Sequence, residues 1–219
     1  MKRKKLLSFL PGAALLALFV LFTRSLAVVD VQPIGPEGSC VAYAAVNGAV
    51  HRLFGVHMFL YHITDWAGVA AILVAMGFGV LGLTQWIRRK SLAQVDRSLL
   101  LLGLFYVLVF GAYLFFEGYV VNRRPVLIGG ILEASYPSST TVLVLCVMPT
   151  AGMQLRRRIL DRKLGKGAAM LCGLFAAAVV LGRLVSGVHW FTDILGGMLF
   201  SLGAVLLYRA AEACLEWEA

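Results

Sequence analysis

The feature that most constrains this chain is a series of apolar stretches, each long enough to cross a bilayer, separated by short segments that hold the charge. Residues 6–23, 66–86 (the apolar core of 58–87), 98–116, 137–154, 167–185 and 190–208 are such stretches. A helix needs roughly 20 apolar residues to span the hydrocarbon core. Only 14% of the chain is charged and 60% is hydrophobic, whereas a soluble domain carries about a quarter charged residues. In lipid every backbone polar group must be satisfied within its own segment, so these stretches are expected to be helices. The expected architecture is all-α: a polytopic membrane protein, a six-transmembrane-helix bundle, forming one domain over 1–219.

The formal charge of +9 would suit nucleic acid, but its placement in short runs between apolar stretches is that of loops on one side of a membrane. No nucleic-acid partner is expected; membrane lipids are. With the N-terminus inside, the inner segments hold the MKRKK cluster, Arg88 to Lys90, Arg97, Arg156 to Arg158, Arg162, Lys163, Lys166 and Arg209. That is fifteen of the twenty basic residues. The outer segments hold only Arg24, Arg52, Arg123, Arg124 and Arg183. The bias predicts N-in and C-in.

Several local readings follow. Residues 6–23 resemble the apolar region of a signal peptide, with Ser25-Leu26-Ala27 as a cleavage site, but Arg24 stands where that region should be small and neutral; a retained helix is expected. The segment DVQPIGPEGS is a loop, and 41–53 an amphipathic piece in the membrane interface. His51 and Arg52 there are read as interfacial side chains. Gly77, Gly79 and Gly82 are expected to permit close helix contact. Cys40, Cys146, Cys172 and Cys214 lack metal-ligand spacing and read as buried small hydrophobes or free thiols. A short acidic tail, 209–219, ends the chain.

The predicted topology brings three polar clusters to the outer face: Arg123-Arg124, the run Ser138-Ser139-Thr140, and Arg183 to Asp193 across a turn at Ser186-Gly187. Ionisable groups at such a boundary are functional candidates. Arginine offers a planar, permanently charged fork that suits phosphate. The amides of Ser138, Ser139 and Thr140, opening a helix, form an anion cradle. His189 and Asp193 are four apart and would share a helical face, letting Asp193 accept a proton from one imidazole nitrogen and leave the other as a nucleophile. Phosphoryl transfer through a phosphohistidine is the chemistry this set suggests. No metal or other cofactor is called for.

These residues resemble the type 2 phosphatidic acid phosphatase family, over about 98–208. Its third motif is Ser-Arg, five residues, His, three residues, Asp; here Gly182-Arg183, His189 and Asp193 match all but the Ser. Its first motif is Lys, six residues, Arg-Pro; Arg124-Pro125 matches, with Glu117 at the Lys position. Its second, Pro-Ser-Gly-His, appears as Pro137-Ser138-Ser139-Thr140. The resemblance implies His189 as nucleophile, Asp193 as its orienting partner, Arg124 and Arg183 as phosphate ligands, and hydrogen bonds from Ser138. It also implies that the acid which protonates the leaving group is missing, since Thr140 replaces the family's His. Glu117 would repel an anion and is expected to point elsewhere or to pair with Arg123 or Arg124; His57 or His62 is the candidate substitute acid.

The implied function is a membrane lipid phosphatase, its site facing outside in a bacterial plasma membrane, acting on a lipid phosphate or polyprenyl diphosphate. The missing acid favours the diphosphate. The alternatives are a catalytically impaired relative that binds or moves a phospholipid or isoprenoid phosphate, and a phosphotransferase passing the phosphoryl group to another acceptor.

Overall fold

A computed structural model describes residues 2–216, with side chains from 5 to 215; Met1 and the last three residues of the acidic tail lie outside it. The helices are α1 (Lys2–Leu7), α2 (Leu10–Ser25), α3 (Ala44–Phe54), α4 (Met58–Arg89), α5 (Arg97–Gly118), α6 (Ser139–Arg158), α7 (Arg162–Val185) and α8 (Phe191–Glu216). Among the described residues the extended pairings are isolated bridges, such as Gln32 with Val41 and Arg123 with Ala134. Helix starts follow local chemistry. Pro11 sits in the first turn of α2, where its missing N–H costs nothing. The Asp161 carboxylate accepts the Lys163 and Leu164 amides and caps α7.

Among the described residues, five segments are long and apolar enough to cross a membrane: Lys5–Ser25, α4, α5, α7 and Phe191–Leu215. Their outward faces expose Leu73, Met76 and Val80 of α4, Leu104, Val107 and Phe110 of α5, and Met170, Leu171 and Leu174 of α7. The fourth expected stretch, α6, is a helix of 20 residues, about 30 Å long, but is less apolar than the rest. The reason is its position. One side of α6 packs Val144, Val147 and Met148 against Ala71 of α4 and Cys172, Ala176 and Val179 of α7. The other packs Val142 and Cys146 against Leu102 and Phe105 of α5 and Val205 and Tyr208 of α8. A helix enclosed by protein can carry Thr141, Thr150 and Gln154, all fully buried, because each finds a partner: Thr150 donates to the Cys146 carbonyl of its own helix at 2.7 Å, Thr141 to the Ser138 hydroxyl, and Gln154 to Tyr208 and Glu212 of α8.

Close glycine contacts fall elsewhere than expected. Gly77, Gly79 and Gly82 face open space. A tight crossing lies between α2 and α8, where a Cβ on Gly12 would lie 2.9 Å from the Gly203 carbonyl and one on Gly203 would lie 3.1 Å from that of Gly12.

The ends of the bundle differ in chemistry. At the end bearing the arginine runs, Arg158 donates to Asp96 at 2.9 Å, to Ser98 at 3.0 Å and to Gln154 at 3.1 Å. Gln154 donates to Tyr208 and Glu212, and Arg157 pairs with Glu212 at 2.8 Å. The segment expected to be a tail is therefore helix: α8 continues to Glu216 because Glu212, 2% exposed, is needed in this network. The opposite end gathers all three polar clusters picked out above.

Candidate active site

The α7–α8 turn carries the central side chain. Ser186 ends α7, its hydroxyl donating to the Arg183 carbonyl at 2.7 Å. Gly187 reverses the chain at φ +66°, a region that favours glycine; the Gly55 carbonyl occupies the place of any Cβ there. The His57 amide donates to the Ser186 carbonyl at 2.9 Å, strapping the α3–α4 link onto the turn.

His189 follows, 4% exposed. Its Nε2 lies 3.1 Å from Arg124 Nη1 and 3.0 Å from Arg183 Nη2. Its Nδ1 lies 3.2 Å from the Ser135 carbonyl. A guanidinium only donates and a carbonyl only accepts, so the network assigns the proton to Nδ1 and the lone pair to Nε2. Burial first, then the charges of Arg183 and Arg124, hold the His189 pKa well below its ordinary 6.5, and the Ser135 carbonyl offsets this only in part. The imidazole is neutral at pH 7, with its lone pair aimed between two cations.

Asp193 departs from the expected arrangement. Its Oδ2 is 3.6 Å from His189 Nδ1, beyond hydrogen-bond reach, and His189 precedes α8, so the two do not share a helical face. Asp193 is the third residue of α8 and turns back to accept the Trp190 amide at 2.9 Å, as the acid of a capping box does. Its Oδ1 accepts from Asn122 at 3.1 Å. The proton on Nδ1 goes to the Ser135 carbonyl instead, with the carboxylate as a nearby charge.

The two arginines are buried, Arg124 at 8% and Arg183 at 1% exposure. Arg124 Nε donates to Glu133 at 3.0 Å and its Nη1 to the Val188 carbonyl at 3.4 Å. Arg183 Nη1 is 3.4 Å from the Thr64 hydroxyl and 3.7 Å from Asp65. Its Nε is buried without a partner among the described residues. Arg123 is exposed and donates to the Leu132 carbonyl, while its own carbonyl accepts from Trp190 Nε1 at 2.7 Å. Glu117 is exposed at the end of α5, and the carboxylate on Arg124 is that of Glu133.

The run that opens α6 differs from the open cradle expected of it. The Ser138 amide donates to the Asp193 carbonyl at 3.1 Å, and its buried hydroxyl accepts from Thr141 at 3.1 Å. Ser138 thus ties α6 to α8. Thr140 is buried beside Gly68 of α4; Ser139 is half-buried. Of the candidate acids, His57 bonds the Phe54 carbonyl at 2.8 Å and His62 lies exposed beside Tyr61.

Several residues here were not singled out from the sequence. Asn47 of α3 is fully buried; its Nδ2 donates to the Thr192 hydroxyl at 3.0 Å and its Oδ1 accepts the Thr192 amide at 3.1 Å. Asn122, Glu133 and Ser135 flank motifs without belonging to them. Tyr61, Thr64 and Asp65 form an i, i+3, i+4 stripe at the end of an apolar helix, and that spacing was a usable signal.

Comparisons with known proteins agree with this architecture. The crystal structure titled as the first transmembrane PAP2 type phosphatidylglycerolphosphate phosphatase, from Bacillus subtilis, is similar with a TM-score of 0.63, over 94% of this chain and 96% of that one, at 19% sequence identity. A sequence search of curated proteins finds no significant match. The family model described as the PAP2 superfamily matches residues 105–213, which include Arg124, the opening of α6 and the whole α7–α8 turn. On that match, in an integral membrane helical fold that its structural neighbour shares, the chain belongs to the PAP2 superfamily.

Proposed function

We propose that this protein is a membrane lipid phosphatase in which Arg124 and Arg183 bind the phosphate and His189 attacks it. The observation that carries the reading is the shared contact of both guanidinium groups with one unprotonated imidazole nitrogen. A phosphate placed there takes N–H groups from both arginines, including the unpartnered Arg183 Nε, and brings phosphorus to Nε2. Charge-assisted bonds to phosphate are the strong kind, and an orphaned buried donor costs about 1–3 kcal/mol.

In the first step the Nε2 lone pair forms the N–P bond and the P–O bond to the leaving group breaks, its electrons going to the departing oxygen. The imidazolium so formed keeps its proton on Nδ1, toward the Ser135 carbonyl and near Asp193. Water then attacks phosphorus, the N–P bond breaks, and neutral His189 returns with release of phosphate. A monoester would expel an alkoxide, and lack of a proton donor typically costs about 10²–10⁴-fold. Thr140, beside Gly68, cannot supply that proton. A diphosphate expels a phosphate monoester, whose second pKa is near 6, and that group leaves unaided. Lipid diphosphates, such as a polyprenyl diphosphate, are therefore the preferred substrates.

The charge distribution supports six spans with N-in and C-in, the site facing outside. Phosphate release from purified protein on lipid diphosphates and on phosphatidic acid, with His189→Ala as control, tests the reading. Faster turnover of the diphosphate, abolished by His189→Ala, is expected. Faster turnover of phosphatidic acid overturns the substrate preference. Release that survives His189→Ala overturns the mechanism, and binding without any release establishes an inactive binder.

A further inference from the structure

Tyr61 sits in the first turn of α4, on a helix that contributes nothing to the family's three motifs. Its ring centroid lies 4.9 Å from Arg183 Cζ and 5.8 Å from Arg124 Cζ, each guanidinium lying over the ring. These are the cations that share His189 Nε2. Two like charges held this close, on side chains this deeply buried, need compensation. The carboxylates supply part of it: Glu133 at 3.0 Å from Arg124 Nε and Asp65 at 3.7 Å from Arg183 Nη1. Both are substantially exposed, at 42% and 55%, so solvent screens them. The face of an aromatic ring is a negative surface, attracts a guanidinium within about 6 Å, and does so without accepting its N–H groups.

We propose that Tyr61 is a positioning residue, the platform that holds the two phosphate-binding arginines at one spacing without taking up any of their N–H groups. The inference rests on the reading of Arg124 and Arg183 as phosphate ligands. The platform is fixed from below. Thr64, one turn on, accepts from Arg183 at 3.4 Å, and a Cβ on Gly182 would lie 2.7 Å from the Thr64 methyl. It is fixed from above by the bond between the His57 amide and Ser186. These contacts hold the first turns of α4, and with them the Tyr61 backbone, against the end of α7.

The test is binding of inorganic pyrophosphate to the full-length protein in detergent, with kcat and KM for a lipid diphosphate beside it. Tyr61→Leu is expected to weaken pyrophosphate binding and raise KM about tenfold, the scale of one desolvated cation–π contact, with a smaller change in kcat. Tyr61→Phe is expected to restore most of that loss, since the ring face and not the hydroxyl is what the arginines touch. Phenylalanines at position 61 with increasing fluorination keep the shape and drain the ring's negative face, so binding should weaken stepwise. This series remains readable even if Tyr61→Leu fails to fold. A flat fluorination series, or a Phe variant as weak as Leu, overturns the proposal. Arg124→Ala and Arg183→Ala separate the two levels. If they leave pyrophosphate binding intact, the phosphate-site reading itself falls; if they abolish it while the Tyr61 series is flat, only the platform falls.

Discussion

His189 is the residue on which the site's chemistry turns, and its protonation has a testable sign. In the unfolded chain a histidine takes up a proton near pH 6.5. In the folded protein burial and two arginines hold its pKa well below that value. A depressed folded pKa contributes stability that is fully present above about 6.5 and lost as pH falls toward the folded value. Thermal midpoints measured in detergent from pH 7.5 down to 5.5 should therefore fall more steeply for the parent than for His189→Gln, which cannot titrate. A shallower fall in the parent would mean that the folded imidazole is charged, and the arginines could not then both donate to it. The sequence showed which residues meet here but not how they bond. Arg124, Arg183 and His189 were legible because charged side chains in an apolar chain stand out. The partner of Nδ1 was not, because Asp193 has two other calls on its carboxylate, the Trp190 amide and Asn122, and the acceptor that replaces it is a backbone carbonyl, which no side-chain pattern reveals.

At the scale of elements, the site depends on where α8 begins, and α3 sets that. Asn47 serves the first turn of α8 from a separate helix, accepting the Thr192 amide and donating to its hydroxyl. Its Nδ2 also bonds the Ala42 carbonyl at 2.7 Å, which fixes the orientation of the amide toward α8. Asn47→Ala removes a cap and strands a buried N–H. It should destabilise the protein by about 1–3 kcal/mol in a denaturation experiment, and lower kcat/KM by loosening His189, three residues before Thr192. A variant with unchanged stability would show that water replaces the cap. The amphipathic helix itself was legible at 41–53 against the observed Ala44–Phe54, because amphipathicity is a local pattern. Its role was not, because the pattern says which face is polar and not what that face meets. The same limit applied to α6. The sequence reads 137–154 as an apolar span like the rest, and only the packing of α4, α5, α7 and α8 around it explains how a helix with buried Thr141, Thr150 and Gln154 occupies the centre of the bundle.

The whole molecule is polar in the sense of having two unlike ends. One gathers Arg124, Arg183 and His189 inside the fold. The other carries the arginine runs, knit through Asp96, Gln154, Tyr208 and Glu212. Which end faces the cell exterior decides which pool of lipid the site can reach, and the chain contains thiols that report it. Cys40 is exposed, next to Val41, whose bridge to Gln32 holds it beside α3 at the active-site end. Cys214 is half-exposed near the end of α8, beyond Glu212, at the arginine-rich end. Cys146 and Cys172 are buried in the two faces of the core. A membrane-impermeant maleimide applied to intact cells should therefore label one thiol, removed by Cys40→Ser, and permeabilising the cells should add Cys214. The labelling rests on the charge bias, since arginine and lysine near helix ends stay preferentially on the cytoplasmic side. Labelling of Cys214 first would invert the molecule, turn the site inward, and require its lipid phosphate to come from the cytoplasmic leaflet.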